Sequence, residues 1–100
     1  GENSTMKNLL WLDDVREAPP GWIWAKTAKE AASVLLSMDV EYASFDHDLG
    51  HPKYDGTWLL KWMIKKNRWP KCKPGVHSAN LYAAQRMLDL IRQFGPYVER

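Results

Sequence analysis

The 100-residue chain predicts an α/β domain built on a single parallel sheet of four strands in the order 2-1-3-4, with three helices. Three observations lead there. Short apolar runs at residues 7–12, 22–25, 40–45 and 75–77 are too brief for helices. Three longer stretches carry apolar residues at helical spacing, and they follow the later runs in alternation. Finally, the runs ending at Leu12 and Phe45 both stop at aspartates, which marks strand ends opening into loops at one edge.

The elements follow in order. Residues 7–12 lack strict alternation, which suits a strand covered on both faces. Asp13-Asp14 stop it, and Ala18-Pro19-Pro20-Gly21 is loop. Trp22 to Ala25 is a short aromatic strand. Thr27-Ala28-Lys29-Glu30 matches the capping box, and Ala28, Ala31, Ala32, Leu35 and Leu36 mark the helix that follows. Val40 to Phe45 is the third strand. After a polar loop, Asp55 reads as a cap for a helix carrying Trp58, Leu59, Trp62 and Met63, which fades by residues 67–70. Pro74 suits the first position of a brief last strand that ends at Ser78. Asn80 caps the final helix, whose apolar face is Ala84, Met87, Leu88 and Ile91; Gly95-Pro96 stops it. Residues 96–100 read as a tail or an edge strand.

Composition narrows the class. Hydrophobic residues make up 45%, enough for one core, and six tryptophans predict aromatic core or pocket lining. Residues 1–5 read as an expression-tag remnant before Met6, leaving residues 6–100 as one domain. One cysteine, Cys72, excludes an internal disulfide, and no apolar run reaches membrane length; a cytoplasmic setting is expected. The net charge of +2 permits an anionic ligand without requiring one. Lys61, Lys65, Lys66, Arg68, Lys71 and Lys73 form a basic stretch that is most often a solvated face. Nothing in the pattern supports reading of a DNA groove.

In open parallel sheets, ligands sit beyond the carboxyl ends of the strands, where strand order reverses. Strands 1 and 3 are neighbours there, so Asp13 and Asp14 should meet Asp46 and Asp48. Converging carboxylates must take up protons or a cation, and an all-oxygen set suits Mg²⁺ or Mn²⁺. Ser78 offers a hydroxyl to a phosphoryl group, and the helix start near Asn80 offers N–H groups. His47 and His77 are the acid/base candidates, because imidazole titrates near working pH; a structural histidine is the alternative for each. Gly50 and Pro52 forbid the helix that would aim His47 and His51 at zinc.

These residues resemble the receiver domain of two-component signalling, a flavodoxin-like fold. The resemblance implies Mg²⁺ at Asp13, Asp14 and Asp46, phosphoryl acceptance by Asp46, a contact from Ser78, and a backbone ligand at Asp48. Three features depart from it. A single helix separates strands 1 and 3, no lysine ends a fifth strand, and Gly50 stands where a proline is usual. Leu12-Asp13-Asp14-Val15-Arg16, Asp46-His47-Asp48-Leu49-Gly50 and His77-Ser78-Ala79-Asn80 are closer to a derived family described as cyclic-phosphate processing, as is Gly21 to Trp24. That resemblance, over residues 8 to about 92, implies a metal-assisted phosphoesterase acting on a phosphorylated small molecule, nucleotide or RNA end. The other readings are a receiver-like binding module with Asp46 as phosphoacceptor, with a protein partner left open, and a small phage or plasmid interaction protein.

Overall fold

A computed structural model describes residues 7–98. The expected tag remnant and the start at Met6 lie outside the described residues. Strands β1 (Leu9–Leu12), β2 (Ile23–Ala25), β3 (Tyr42–Phe45) and β4 (Gly75–Val76) form one parallel sheet in the order β2-β1-β3-β4. Helices α1 (Ala28–Ser37), α2 (Gly56–Lys66) and α3 (Leu81–Phe94) complete the α/β architecture that the sequence predicts. Residues 96–98 form no strand, and residues 99–100 lie outside the description.

The crossovers β2-α1-β3 and β3-α2-β4 step the same way along the sheet. Crossovers of one hand and one direction put their helices on one face. Accordingly α1 packs on α2 and α2 on α3 in a single layer. The strands alternate to match: Leu10, Leu12, Ala43 and Phe45 are wholly buried under the helices, while Leu9 and Trp11 are only partly covered. Burying a side chain such as Phe45 contributes about 1.5–3 kcal/mol.

The first strand is thus covered on both faces, but by different means. The face away from the helices carries an aromatic row. Trp22 meets Trp11 edge-on at 6.0 Å between ring centroids and meets Tyr42 at 5.8 Å. The Trp11 indole N–H donates to the Arg16 carbonyl (2.9 Å), which draws the β1–β2 loop over this face.

Local signals set the helix ends. The Thr27 hydroxyl accepts from the Glu30 N–H (3.0 Å), and the Glu30 carboxylate reaches back to the Lys26 N–H (2.7 Å), one residue before the cap. Asp55 and Asn80 cap α2 and α3 through the N–H groups of Trp58 and Ala83. Asn67, in the left-handed conformation (φ 55°), ends α2. Two apolar positions depart from expectation. Leu36 (51% exposed) and Leu88 (40%) turn outward, and Ala83 replaces Leu88 in the buried stripe of α3 with Met87 and Ile91. Helical spacing names neighbours on a cylinder, but packing chooses which edge of the apolar arc is covered.

Candidate functional site

The pairing of the strands builds the site. Leu12 of β1 lies beside Phe45 of β3, so the next residues, Asp13 and Asp46, leave the sheet together. The ladder runs one step further: the Asp46 N–H bonds the Leu12 carbonyl (2.9 Å) and the His77 N–H bonds the Phe45 carbonyl (3.0 Å). Asp13, Asp46 and His77 therefore occupy matching positions beyond three adjacent strands, on the face away from the helices. Asp14 joins them, and one oxygen each from Asp13, Asp14 and Asp46 lies within 4.8 Å of the others. The three could hold a hard divalent cation, since all the donors are carboxylate oxygens.

Asp13 is buried (2% exposed) and fully engaged. Its Oδ1 accepts the N–H groups of Val15 (2.9 Å) and Arg16 (2.8 Å), and its Oδ2 faces His77 Nε2 at 3.0 Å. Burial alone would raise its pKa, but those two N–H bonds and His77 outweigh it, and the carboxyl is held below its ordinary range. Asp46 goes the other way. Burial, reinforced by the Asp13 charge, raises its pKa despite the N–H of His47, the charge of His77 and the Ser78 hydroxyl. One carboxylate is thus secured by the fold, and its neighbour carries charge that a cation would relieve.

His77 is the other fixed element. Its Nε2 faces Asp13 and its Nδ1 lies 2.7 Å from the Ser44 hydroxyl. Nε2–H donates to the Asp13 carboxylate, and Nδ1 bonds the Ser44 hydroxyl. The ring stacks on Trp11 at 3.8 Å, 3° from parallel.

A cavity of about 320 Å³ opens over the cluster, lined also by Arg16, Asp48, Gly50 and His77. Gly50 has φ +70°, and a Cβ there would come within 3.2 Å of Asp14 Oδ2. A side chain would be strained and would crowd the carboxylate, which gives Gly50 a reason to stand in this loop.

The expected residues do not all converge. Asp48 lines the cavity but lies outside the three-carboxylate cluster, and its Oδ1 is bound by His47 Nδ1 at 2.7 Å. Ser78 does reach the Asp46 carboxylate, while its Oγ accepts the Asn80 N–H (3.1 Å). His77 lines the cavity and His47 does not. Strand alternation persists two residues past β3, and the His47 ring turns to the helix side, 3.5 Å from Asp55 Oδ2. His51 instead accepts the N–H groups of Lys53 and Tyr54 and closes its own loop.

Sequence reasoning passed over Arg16, Ser44 and Trp11. A cation two residues after the acidic pair was a usable signal for Arg16. Ser44 stands two residues before Asp46, hence on the same strand face, which was also legible. The stacking of Trp11 on His77 depends on strand order and had no local sign.

The chain belongs to the cyclic-phosphate processing receiver domain family, whose model matches residues 8–93. No curated protein and no solved structure matches it.

Proposed function

We propose that this domain is a metal-dependent phosphoesterase that opens a cyclic phosphate on a nucleotide or RNA end. The observation that carries this reading is the meeting of Asp13, Asp14 and Asp46 within 4.8 Å beside His77, in one cavity at the strand ends. Membership of a family described by cyclic-phosphate processing supports the substrate class.

Asp13, Asp14 and Asp46 would hold Mg²⁺ or Mn²⁺, which when bound would polarise a phosphoryl oxygen and lower the pKa of water. The residues of the chain do the rest. Asp13, locked by two N–H groups and His77, keeps one ligand oxygen in place at no cost of reorganisation. Arg16, at the cavity wall, offsets negative charge on the phosphoryl oxygens. Water adds to phosphorus, one ring P–O bond breaks, and the departing oxygen takes a proton to become a hydroxyl. The product is an acyclic phosphate monoester. The attacking water gives up one proton and the departing oxygen takes one, so the step balances through solvent, while His77, its two ring nitrogens engaged by Asp13 and Ser44, holds Asp13 in position. Ser78 holds the Asp46 carboxylate. His47 opens to the other side of the loop and reaches the reaction only through Asp46 and Asp48.

Incubation with a 2′,3′-cyclic mononucleotide in Mg²⁺ or Mn²⁺, read by phosphorus NMR, tests the reading. The expected result is metal-dependent opening of the ring that falls at least about 100-fold in Asp46→Asn, a barrier increase of about 2.7 kcal/mol. Full activity in that variant, or activity unaffected by EDTA, would overturn the assignment.

One contact favours a second reading, a module that accepts a phosphoryl group on Asp46. The Ser78 hydroxyl already bonds that carboxylate, as a reporter of acyl-phosphate formation would. Among the described residues no lysine lines the cavity, however, so the second half of such a readout has no candidate there. A phosphodonor in Mg²⁺ that left a stable mass increase of one phosphoryl group, with no ring opening, would decide for the module.

A further inference from the structure

The groove between α2 and α3 offers a second place for a ligand, on the other side of the Asp46–Asp48 loop from the acidic cavity. It has a volume of about 390 Å³. Thr57 and Lys61 line it from one face of α2, four residues apart, and Tyr82 and Arg86 line it from α3 at the same spacing. His47 and Asp55 form its floor.

The charges in the groove are unbalanced. Among the described residues neither Lys61 nor Arg86 is ion-paired. The one acid, Asp55, is already committed: Oδ1 accepts the Trp58 N–H (2.9 Å) and Oδ2 faces His47 Nε2 (3.5 Å). Two free cations with a spent carboxylate favour an anion. At the rim, Tyr82 is 76% exposed, an uncovered ring beside a cationic groove. Cations with an open aromatic face are the elements of single-strand nucleic-acid binding, where phosphates meet charge and bases stack.

The groove and the cavity share a wall. His47, on the groove floor, gives its N–H to Asp46 Oδ1 (2.8 Å) and binds Asp48 Oδ1 through its ring (2.7 Å), while Asp46 and Asp48 line the cavity. We infer that the groove between α2 and α3 is a second phosphate subsite, in which Lys61 and Arg86 hold the phosphodiester next to the terminal phosphate and Tyr82 stacks a base. The substrate is then the end of a single-stranded polynucleotide rather than a mononucleotide. This rests on the proposed function for what happens at the terminal phosphate, but binding in the groove needs no turnover.

Fluorescence anisotropy with a 5′-labelled pentauridylate carrying a 3′-phosphate tests it, since that end has no ring to open. In about 50 mM salt the Lys61→Ala/Arg86→Ala protein should bind at least about tenfold more weakly, with a slope of log affinity against log salt shallower by about 1.4, or 0.7 per lost cation. Tyr82→Ala should weaken binding about five- to 160-fold. Lys65→Ala/Lys66→Ala removes the same charge from the far end of α2 and should change affinity less than about threefold. All five side chains are exposed, and unchanged thermal melts would confirm folded variants. Equal losses in the two double variants, or no effect of Tyr82→Ala, would overturn the inference. Ring opening by the wild type with no binding of the pentauridylate sinks this inference alone. Intact groove binding with no ring opening in the wild type sinks the proposed function alone.

Discussion

The two faces of the sheet are built from the same four strands and do different work. Toward the helices point Leu10, Leu12, Ala43 and Phe45, apolar and sealed. Toward the other side point Trp11, Ser44 and His77, with Asp13 and Asp46 just past the strand ends. The first face holds the fold together by excluding water. The second is a chain of directed contacts, Ser44 to His77 to Asp13, with Trp11 stacked beneath the imidazole. Stability and chemistry are thus assigned to alternate residues of one strand. Substitutions one position apart should therefore fail in different ways.

The largest expected effect is on the sealed face. Phe45→Ala leaves a cavity in the core between sheet and helices and should lower unfolding free energy by about 3–5 kcal/mol in urea titration. A loss below about 1 kcal/mol would show that the helix layer is not the main source of stability. On the other face, Asp13→Asn should weaken the apparent affinity for Mn²⁺ at least about tenfold, or about 1.4 kcal/mol, measured by isothermal titration calorimetry. Undiminished Mn²⁺ binding would remove Asp13 from the site. Ser44→Ala breaks the hydroxyl bond to His77 and should cost about 1 kcal/mol of stability. It should also slow ring opening, because His77 then holds Asp13 less firmly; a stability loss with unchanged turnover would confine Ser44 to structure.

The smallest effect is in the pH profile, and its sign is opposite for the two carboxylates. Asp13 has a lowered folded pKa, so its stabilisation is present above the ordinary value of 3.8 and is lost as pH falls through the folded value below it. Asp46 has a raised folded pKa, so its ionised form costs stability at neutral pH, and the cost disappears as pH falls toward 3.8. In EDTA, Asp46→Asn should therefore be more stable than the wild type at pH 7, and the difference should shrink toward pH 4. Asp13→Asn should flatten the loss below pH 3.8 instead. A variant pair with the reverse behaviour would contradict the environments described for both groups.

Much of this was legible before any coordinates. Apolar runs that stop at Asp13 and at Asp46 announce strand ends, and the capping box at Thr27, the cap at Asp55 and the cap at Asn80 are local hydrogen-bond patterns that a sequence displays directly. Less was legible where a residue has two acceptable surroundings. Leu36 and Leu88 fit an apolar stripe equally well whether the neighbouring helix covers them or stops short. His47 and His77 read alike as acid/base candidates, yet His77 faces the cavity and His47 the groove between α2 and α3. No helix among the described residues is long and apolar enough to cross a membrane, in keeping with the apolar runs of the sequence.

The order of residues by itself determined the elements, their caps and the aspartates at the strand ends, because each depends on groups only a few positions apart. Only the tertiary structure decided that His77 would lie between Ser44 and Asp13, 33 and 64 residues away, over the ring of Trp11. Those contacts exist only after β3 and β4 have paired beside β1, and the pairing is chosen by how all the strands bury their apolar faces together.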